Sequence, residues 1–264
     1  MMIDLIEVKD FAIDCLMGVL KELEESQLSK EIALKEQRDI VTNTDLFVES
    51  HMIEQLKTHY PNHFFSSEEV GEAIIGQNVS DVYEWVIDPV DGTINFAANL
   101  PWYSTSLCLK HNGELVVGIV YIHATKELYS AIIGQGSYCN GKPIHVSKTK
   151  NLDEAILSFM LTSHYNEEQT DWILHIVRNL SLKTRGLRLL VSQALELCLI
   201  ASGKLDGTVC IKSRGFSSSA GALIVQEAGG KVSTIDGGKR DSKATSLLVS
   251  NGVIHDELVR VSNE

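Results

Sequence analysis

Two carboxylates three residues apart bracket a proline in WVIDPVDGTINF, Trp85 to Phe96. Asp88 closes an apolar run, Pro89 follows, and Asp91 stands directly before Gly92-Thr93. In a continuing strand, residues at i and i+3 face opposite sides. Pro89 fixes one backbone angle and Gly92 permits a sharp bend. A turn here can therefore aim Asp88, Asp91 and the Val90 carbonyl at one point. Hard oxygen ligands of this kind suit Mg²⁺, which keeps waters and takes one or two carboxylates plus substrate phosphate oxygens. A helix starting at Thr93 would add backbone N–H groups where an anion is welcome. The same residues also make an ordinary turn, with Pro at the second position and Asp and Gly nearby. On these residues alone the two readings stand level.

Other acids tip the balance. SSEEV places Glu68 and Glu69 after an apolar, strand-like stretch, and VTNTD supplies Asp45. Paired glutamates are common on a solvated loop, and Asp45 could cap a helix beginning near Leu46. Taken together, these acids form a set that a fold gathers only with cations between them, because like charges brought close are unfavourable.

The elements that must position them are readable in outline. Leu5, Val8, Ala12, Cys15, Leu16, Val19, Leu20 and Leu23 recur at helical spacing. A polar stretch, Glu24 to Asp39, follows, and a second helix runs from about Leu46 and must end by Pro61. HFFSSEEVGE reads as a short strand entering a loop, and Tyr83 to Ile87 as the strand that delivers Asp88. Ser104–Lys110 and Leu115–Tyr121 read as a hairpin around an Asn-Gly signal, with Glu127–Ile133 a further strand. GQGSYCNG lacks the spacing of a nucleotide loop and reads as turn glycine. Beyond Ser147 strands and helices alternate. The strands are Ala155–Met160, Leu182–Arg185, Gly207–Ile211, Lys231–Ile235 and Ser246–Ser250. The helices are Asn166–Leu180, Ser192–Ser202, Ser217–Ala228 (closed by Gly229-Gly230) and a last one at the end of the chain. An α/β class with helices on both faces of its strands is expected. The chain divides loosely near residue 148, into an N-terminal α+β part, 1–148, and a C-terminal α/β part, 149–264.

Composition bounds the function. Hydrophobic content of 44% and charged content of 22% over 264 residues are ordinary for a globular protein. The net charge of −12 repels a polyanion on average, and no basic cluster overrules it, so a nucleic-acid partner is not expected. The longest apolar run, Leu115 to Ile122, is too short for a bilayer, and the acidic N-terminus lacks a signal-peptide pattern. A cytoplasmic protein with no membrane partner is expected. Cys15, Cys108, Cys139, Cys198 and Cys210 are odd in number and form no CxxC pair, which reads as reduced, buried thiols. His59 and His63 are separated by Pro61 and do not share a helix face.

WVIDPVDGTINF resembles the signature of the inositol monophosphatase family, lithium-sensitive and magnesium-dependent phosphatases. DIVTNTD, SSEEV, NLPWYSTSLCLK, the GxG…NGKPI stretch, LELCLIASGKLDG and AGALIVQEAGGKV are similar to family segments in family order, across nearly the whole chain. The resemblance implies a layered α-β-α-β-α sandwich and a small phosphorylated substrate, such as inositol monophosphate. It implies that Glu68, Asp88 and the Val90 carbonyl hold one Mg²⁺ and that Asp88 and Asp91 hold a second. Backbone N–H groups of Gly92 and Thr93 would bind phosphate. Thr93, paired with Asp45, would orient and help deprotonate the attacking water, with Glu68 also in the catalytic set. In such sites one metal sharpens the nucleophile and the other, ~4 Å away, stabilises the leaving oxygen. A homodimer is common in the family and is the expected assembly.

The pattern breaks near its second motif, where the family has Trp and Asp shortly before AxGAL. This chain reads GFSSSAGAL, with Phe216 and Ser217 in those places and no acid between Asp206 and Glu227. Ser217 would be a neutral ligand of the second metal. Cys210 takes the place of a glutamate that contacts substrate hydroxyls, and Val191 and Gln193 alter the segment before the LELC helix. Lys212 or Arg214 could lend positive charge to the leaving oxygen or bind a further phosphate; equally, both could be solvated loop residues. A sugar phosphate, the phosphate of a nucleotide cofactor, or a degenerate member that binds a phosphorylated ligand or partner with little turnover are the alternatives.

Overall fold

The computed structural model describes residues 3–35, 38–69, 71–72, 81–213, 215–240 and 244–264. The chain opens on α1 (Leu5–Ser26), capped by the Asp4 carboxylate, which accepts from the N–H of Ile6 at 2.8 Å. A small hairpin, β1 (Ile32–Leu34) and β2 (Ile40–Thr42), runs straight into α2 (Asn43–His59). Then come β3 (Phe64–Ser67), β4 (Gly71–Glu72), β5 (Tyr83–Asp91) and the short α3 (Thr93–Ala97). β6 (Ser104–His111) and β7 (Glu114–Ile122) turn through Asn112-Gly113, both at positive φ, as the twist of a tight hairpin requires. β8 (Glu127–Ile132), β9 (Ser137–Cys139) and β10 (Lys142–Ile144) complete the first half. The second half runs β11 (Ile156–Phe159), α4 (Glu167–Ser181), β12 (Gly186–Arg188), α5 (Gln193–Ala201), β13 (Gly207–Cys210), α6 (Gly215–Glu227), β14 (Lys231–Ser233), β15 (Leu247–Ser250) and α7 (His255–Ser262).

Among the described residues the larger sheet has the order β10-β9-β8-β7-β6-β5-β3-β4 and the smaller β12-β11-β13-β15-β14. The chain leaves the first at Ile144 and enters the second at Ile156. Strand periodicity then decides the layers. Trp85, Ile87, Leu107, Leu109, Val117 and Ile119 face the stripe of α1 and α2 that carries Leu16, Met52 and Leu56. Their strand neighbours Val86, Cys108 and Val120 face the other way, onto Leu197 and Cys198 of α5 and Ala220 and Ile224 of α6. The same core takes in Cys210, Leu247 and Val249 of the smaller sheet, whose far face packs on α4 and α7 through Ile173, Ile176 and Leu258. Five layers result, α-β-α-β-α, as the family resemblance implied. With both faces of the central strands covered, their sequences read as apolar runs. No helix among the described residues is long and apolar enough to cross a membrane.

Several boundaries differ from expectation. α2 begins at Asn43 rather than near Leu46, because Thr42 caps it in a capping box with Asp45. The polar stretch 24–39 contains β1, whose three residues are all exposed and so leave no burial pattern to read. The strand expected over Leu182–Arg185 is β12, displaced to Gly186–Arg188 because α4 continues to Ser181. Gly134, Gly136 and Gly141 all sit at positive φ, as turn glycines should, but two strands too short to show a period lie among them.

The middle helix layer lies against the sheet with almost no clearance. A Cβ on Gly118 of β7 would sit 2.7 Å from the Ala220 carbonyl oxygen of α6, whereas one on Gly18, within α1, would meet nothing within 4 Å. Gly118→Ala is therefore expected to destabilise the fold by about 1–3 kcal/mol through overpacking. Gly18→Ala is expected to stabilise it by roughly 0.5–1 kcal/mol through helix propensity. Denaturant unfolding of the two variants beside wild type checks both signs.

Candidate active site

Asp88 and Asp91 are brought together by a β-bulge, which replaces the expected turn. β5 pairs Asp88 with Ser106 and Asp91 with Ser104, so Pro89 and Val90 together oppose one residue, Thr105. The bulge defeats the alternation that would otherwise send the two acids to opposite faces. Pro89 has no N–H to give and is tolerated where the ladder is already interrupted. Its carbonyl accepts from Thr105 Oγ1 at 2.7 Å, and Thr105 Oγ1 lies 2.9 Å from His123 Nε2. Since the threonine's one proton goes to Pro89, His123 Nε2 is the donor to Thr105. Burial pushes the His123 imidazole down to about 4, so it holds the bulge as a neutral ring.

The two acids have opposite surroundings. Asp91 acts as a distant cap for α5: it accepts from Gln193 N at 3.0 Å, Ala194 N at 2.8 Å, Ser192 Oγ at 2.6 Å and Ser104 Oγ at 3.2 Å. Burial raises its pKa, and those donors oppose the rise. Asp88 is fully buried, and neither of its oxygens has a hydrogen-bond partner. Burial first, then the neighbouring charges of Glu68 and Asp91, push its carboxyl well above the usual range. The Ser217 hydroxyl, in the first turn of α6, moderates that rise without forming a hydrogen bond of normal geometry. Burial also pushes Glu68 up to about 7, with Lys35 opposing. Glu69, the other acid of the pair, is turned away to an ion pair with Lys35.

Asp45 and Thr93 also meet. Thr93 Oγ1 lies 3.3 Å from Asp45 Oδ1 and 2.9 Å from the Val90 carbonyl oxygen. The far Asp45 oxygen accepts from the N–H of Thr42 at 2.9 Å and from the Thr42 hydroxyl. Asp45 is thus an internal residue of α2 that completes a capping box and reaches the site, rather than the cap of a later helix. Gly92, at φ +92, is the hinge between β5 and α3. A Cβ there would lie 2.9 Å from the Trp102 carbonyl oxygen and 3.2 Å from that of Val191, so a side chain is excluded. Asn95 Nδ2 ties α3 to both neighbours, donating to Trp102 O at 2.8 Å and Leu190 O at 2.6 Å. Val191 holds φ +55, a left-handed conformation in which a β-branched residue is strained.

A cavity of about 320 Å³ opens over these groups. Glu68, Val90, Asp91, Gly92, Thr93 and Ser217 line it, as do Asp39, Met160, Thr162, His164, Gln193, Cys210 and Lys212. Asp88 lies in the wall beneath it and Asp45 behind Thr93. Lys212 is exposed, with Nζ 3.3 Å from the His164 carbonyl oxygen. Arg214 lies outside the described residues. Among the described residues no three acids, histidines or cysteines converge as a ready metal cage. Asp91 is already engaged by four donors, whereas neither Asp88 oxygen has a hydrogen bond of normal geometry. A buried carboxylate with two bare oxygens beside a second acid and a backbone carbonyl is a donor set that a hard divalent cation fits.

Sequence reasoning missed Ser104, Ser192 and Lys35, and no local signal could have found them. Each lies more than a dozen residues from the acid it serves. It also missed Glu196, three residues along α5 from Gln193 and fully buried. Glu196 accepts from Ser158 Oγ at 2.7 Å and Thr208 Oγ1 at 3.1 Å, two residues paired across β11 and β13. The only sequence signal for it is an acid inside an otherwise apolar helix.

The sequence description of the inositol monophosphatase family matches residues 4–264. A Thermotoga maritima protein described as fructose-1,6-bisphosphatase/inositol-1-monophosphatase is 34% identical over 227 residues, 86% of this chain and 84% of that one. Inositol monophosphatase 3 of Solanum lycopersicum is 33% identical over 237 residues, 89% of this chain and 88% of that one. The crystal structure of the extragenic suppressor protein suhB from Bartonella henselae superposes with a TM-score of 0.89 at 27% identity, covering 98% of this chain and 99% of that one. Acids gathered at a bulge, in a sandwich shared with such relatives, make this protein a phosphatase. The chain belongs to the inositol monophosphatase family.

Burial pushes Glu196 from 4.5 up to about 8. A carboxyl whose folded pKa is raised supports the fold below its unfolded value and loses that contribution as pH rises through the folded one. Wild type should therefore lose stability between pH 4.5 and about 8 on this account. Glu196→Gln, neutral throughout, should melt several degrees higher than wild type at the alkaline end and alike at the acidic end. Thermal melts across that range provide the comparison.

Proposed function

We propose that the chain is a Mg²⁺-dependent phosphomonoesterase that hydrolyses the phosphate ester of a small alcohol, with water as the attacking group. The observation that carries this reading is Asp88, wholly buried with no hydrogen bond of normal geometry on either oxygen. Glu68, Asp88 and the Val90 carbonyl would hold one ion, and Asp88, Asp91 and Ser217 a second. Bound Mg²⁺ supplies a lowered pKa for the attacking water and charge compensation at the leaving oxygen. The chain's own residues do the rest. Thr93 Oγ1 has the Val90 carbonyl at 2.9 Å and Asp45 Oδ1 at 3.3 Å as acceptors for its one proton, and giving that proton to Asp45 would leave its lone pairs to orient a water. As the water oxygen bonds to phosphorus and the ester P–O bond breaks, Asp45 would draw the water's proton; a solvent water would protonate the departing alkoxide to the free alcohol, and the hydroxide so formed would take the proton back from Asp45. Gly92 and Thr93, at the start of α3, offer N–H groups to the phosphate. The name of the Thermotoga relative pairs a sugar bisphosphate with an inositol monophosphate, which supports a small polyol phosphate as the substrate class.

Phosphate release from a panel of phosphomonoesters, with and without Mg²⁺, tests the reading. Asp91→Asn, Glu68→Gln and Thr93→Val should each lower turnover by roughly 10²-fold or more while the circular dichroism spectrum is retained. Activity that survives chelation of divalent ions, or survives these substitutions, would sink it.

Ser217 favours a second reading, a binder of a phosphorylated ligand with little turnover. Its hydroxyl is neutral where a charged ligand would anchor the second ion. Ser217→Asp should raise kcat/KM or lower the Mg²⁺ concentration needed for half-maximal rate. If neither moves, the second site has no charge deficit. Detectable ligand binding with no phosphate release from any member of the panel would favour the binder.

A further inference from the structure

Gln193 opens α5 with its side chain buried in the cavity wall, 4% exposed, beside Cys210 and Lys212. Its amide orientation is fixed from behind. Ser213 Oγ donates to Gln193 Oε1 at 2.8 Å, and Arg240 Nη2 lies 3.4 Å from the same hydroxyl. A guanidinium has only donors, so Ser213 accepts from Arg240 and gives its proton to the amide oxygen. Gln193 Nε2 is therefore turned away from Ser213. It is buried and makes no hydrogen bond of normal geometry, the Cys210 thiol, a weak acceptor, being the side chain that interacts with it. A primary amide with its oxygen committed and its nitrogen without a normal hydrogen bond is a donor awaiting an acceptor.

The surroundings decide what that acceptor is. Cys210 stands where the family resemblance implied a glutamate reading substrate hydroxyls, and burial pushes its thiol up, so this position carries no negative charge. Lys212 adds a cation at the rim. The acid on the opposite rim, Asp39, lies 3.6 Å from His164 Nε2. The Gln193 amide and the Lys212 ammonium on this side of the cavity match oxygen lone pairs with negative charge behind them.

We propose that Gln193 is a specificity-determining residue whose Nε2 donors select phosphomonoesters that carry a second anionic oxygen group, a carboxylate or a further phosphate, over those that carry only hydroxyls. The proposal rests on the phosphomonoesterase reading for the placement of the ester phosphate at the Asp88 end of the cavity.

The test compares two matched pairs in Mg²⁺: 3-phosphoglycerate against glycerol 3-phosphate, and fructose 1,6-bisphosphate against fructose 1-phosphate. Wild type, Gln193→Ala and Gln193→Glu are measured for kcat/KM, and for equilibrium binding by calorimetry where no turnover occurs. Wild type should prefer the more anionic member of at least one pair. Gln193→Ala should cut that preference about tenfold or more, since a hydrogen bond to a charged group is lost. Gln193→Glu should reverse it by repulsion. The pair that responds identifies the group as carboxylate or phosphate. Ratios that stay the same in all three proteins overturn the proposal; Gln193→Ala alone decides this if Gln193→Glu does not fold. A shifted binding ratio without turnover would remove the phosphomonoesterase reading and leave Gln193 in its role. Turnover with unmoved ratios would remove only the role of Gln193.

Discussion

Asp88 is the constraint around which this molecule is arranged. An ionised carboxylate with no hydrogen bond in a low-dielectric interior is unfavourable by an amount that rivals the net stability of a domain. The chain nevertheless puts it on β5, a strand covered on both faces, next to Glu68 and near Asp91. Burial and the neighbouring acids push the Asp88 carboxyl up, and burial does the same to Glu68. Such a cluster is tolerable only because the rest of the fold over-determines it. β5 is clamped between β3 and β6, and the bulge is pinned by the Thr105 hydroxyl on the Pro89 carbonyl.

Asp91 shows how the same strand serves the opposite purpose. Three residues along, its carboxylate takes two backbone N–H groups at the head of α5 and two serine hydroxyls. An acid at a helix N-terminus is favoured by the orphan donors and by the helix dipole. This one links the larger sheet to the helix layer that both sheets share. Gly92 and Asn95 reinforce the link, one by leaving no room for a side chain and the other by bonding the segment before α5. The position of α5 is thus set by the strand that carries Asp88. Any residue on its first turn, Gln193 included, is placed relative to Asp88 with little freedom.

What could be read in the sequence follows from range. The layering was legible because apolar residues at periods of two and near 3.6 report burial directly, as in Trp85 and Val86 facing opposite helix layers. That Asp45, Glu68, Asp88, Asp91 and Thr93 lie together was foreseeable from their residue types and local spacing, with family likeness ordering them. The bulge was not, since a proline and a glycine beside two acids fit a turn equally well, and only the pairing of Asp88 with Ser106 and Asp91 with Ser104 separates the two. The donors on Asp91 were hidden by a sequence gap of 101 to 103 residues. β1 was hidden by its exposure, which removes the pattern that marks a strand.

Ser217 gains meaning from the charge balance around Asp88. An aspartate there would bring another carboxylate beside a group that is already fully buried and whose pKa is already pushed up. Like charges in a shared low-dielectric site push one another's pKa values up and weaken the metal-free fold. A hydroxyl spares the empty site that repulsion, and it gives up one unit of negative charge when a second cation must be held. The same exchange occurs across the cavity, where Cys210 is an uncharged thiol and Gln193 turns donors inward. Ser217 and Cys210 thus leave two cavity positions uncharged where the family resemblance implied carboxylates, in a chain whose net charge is −12.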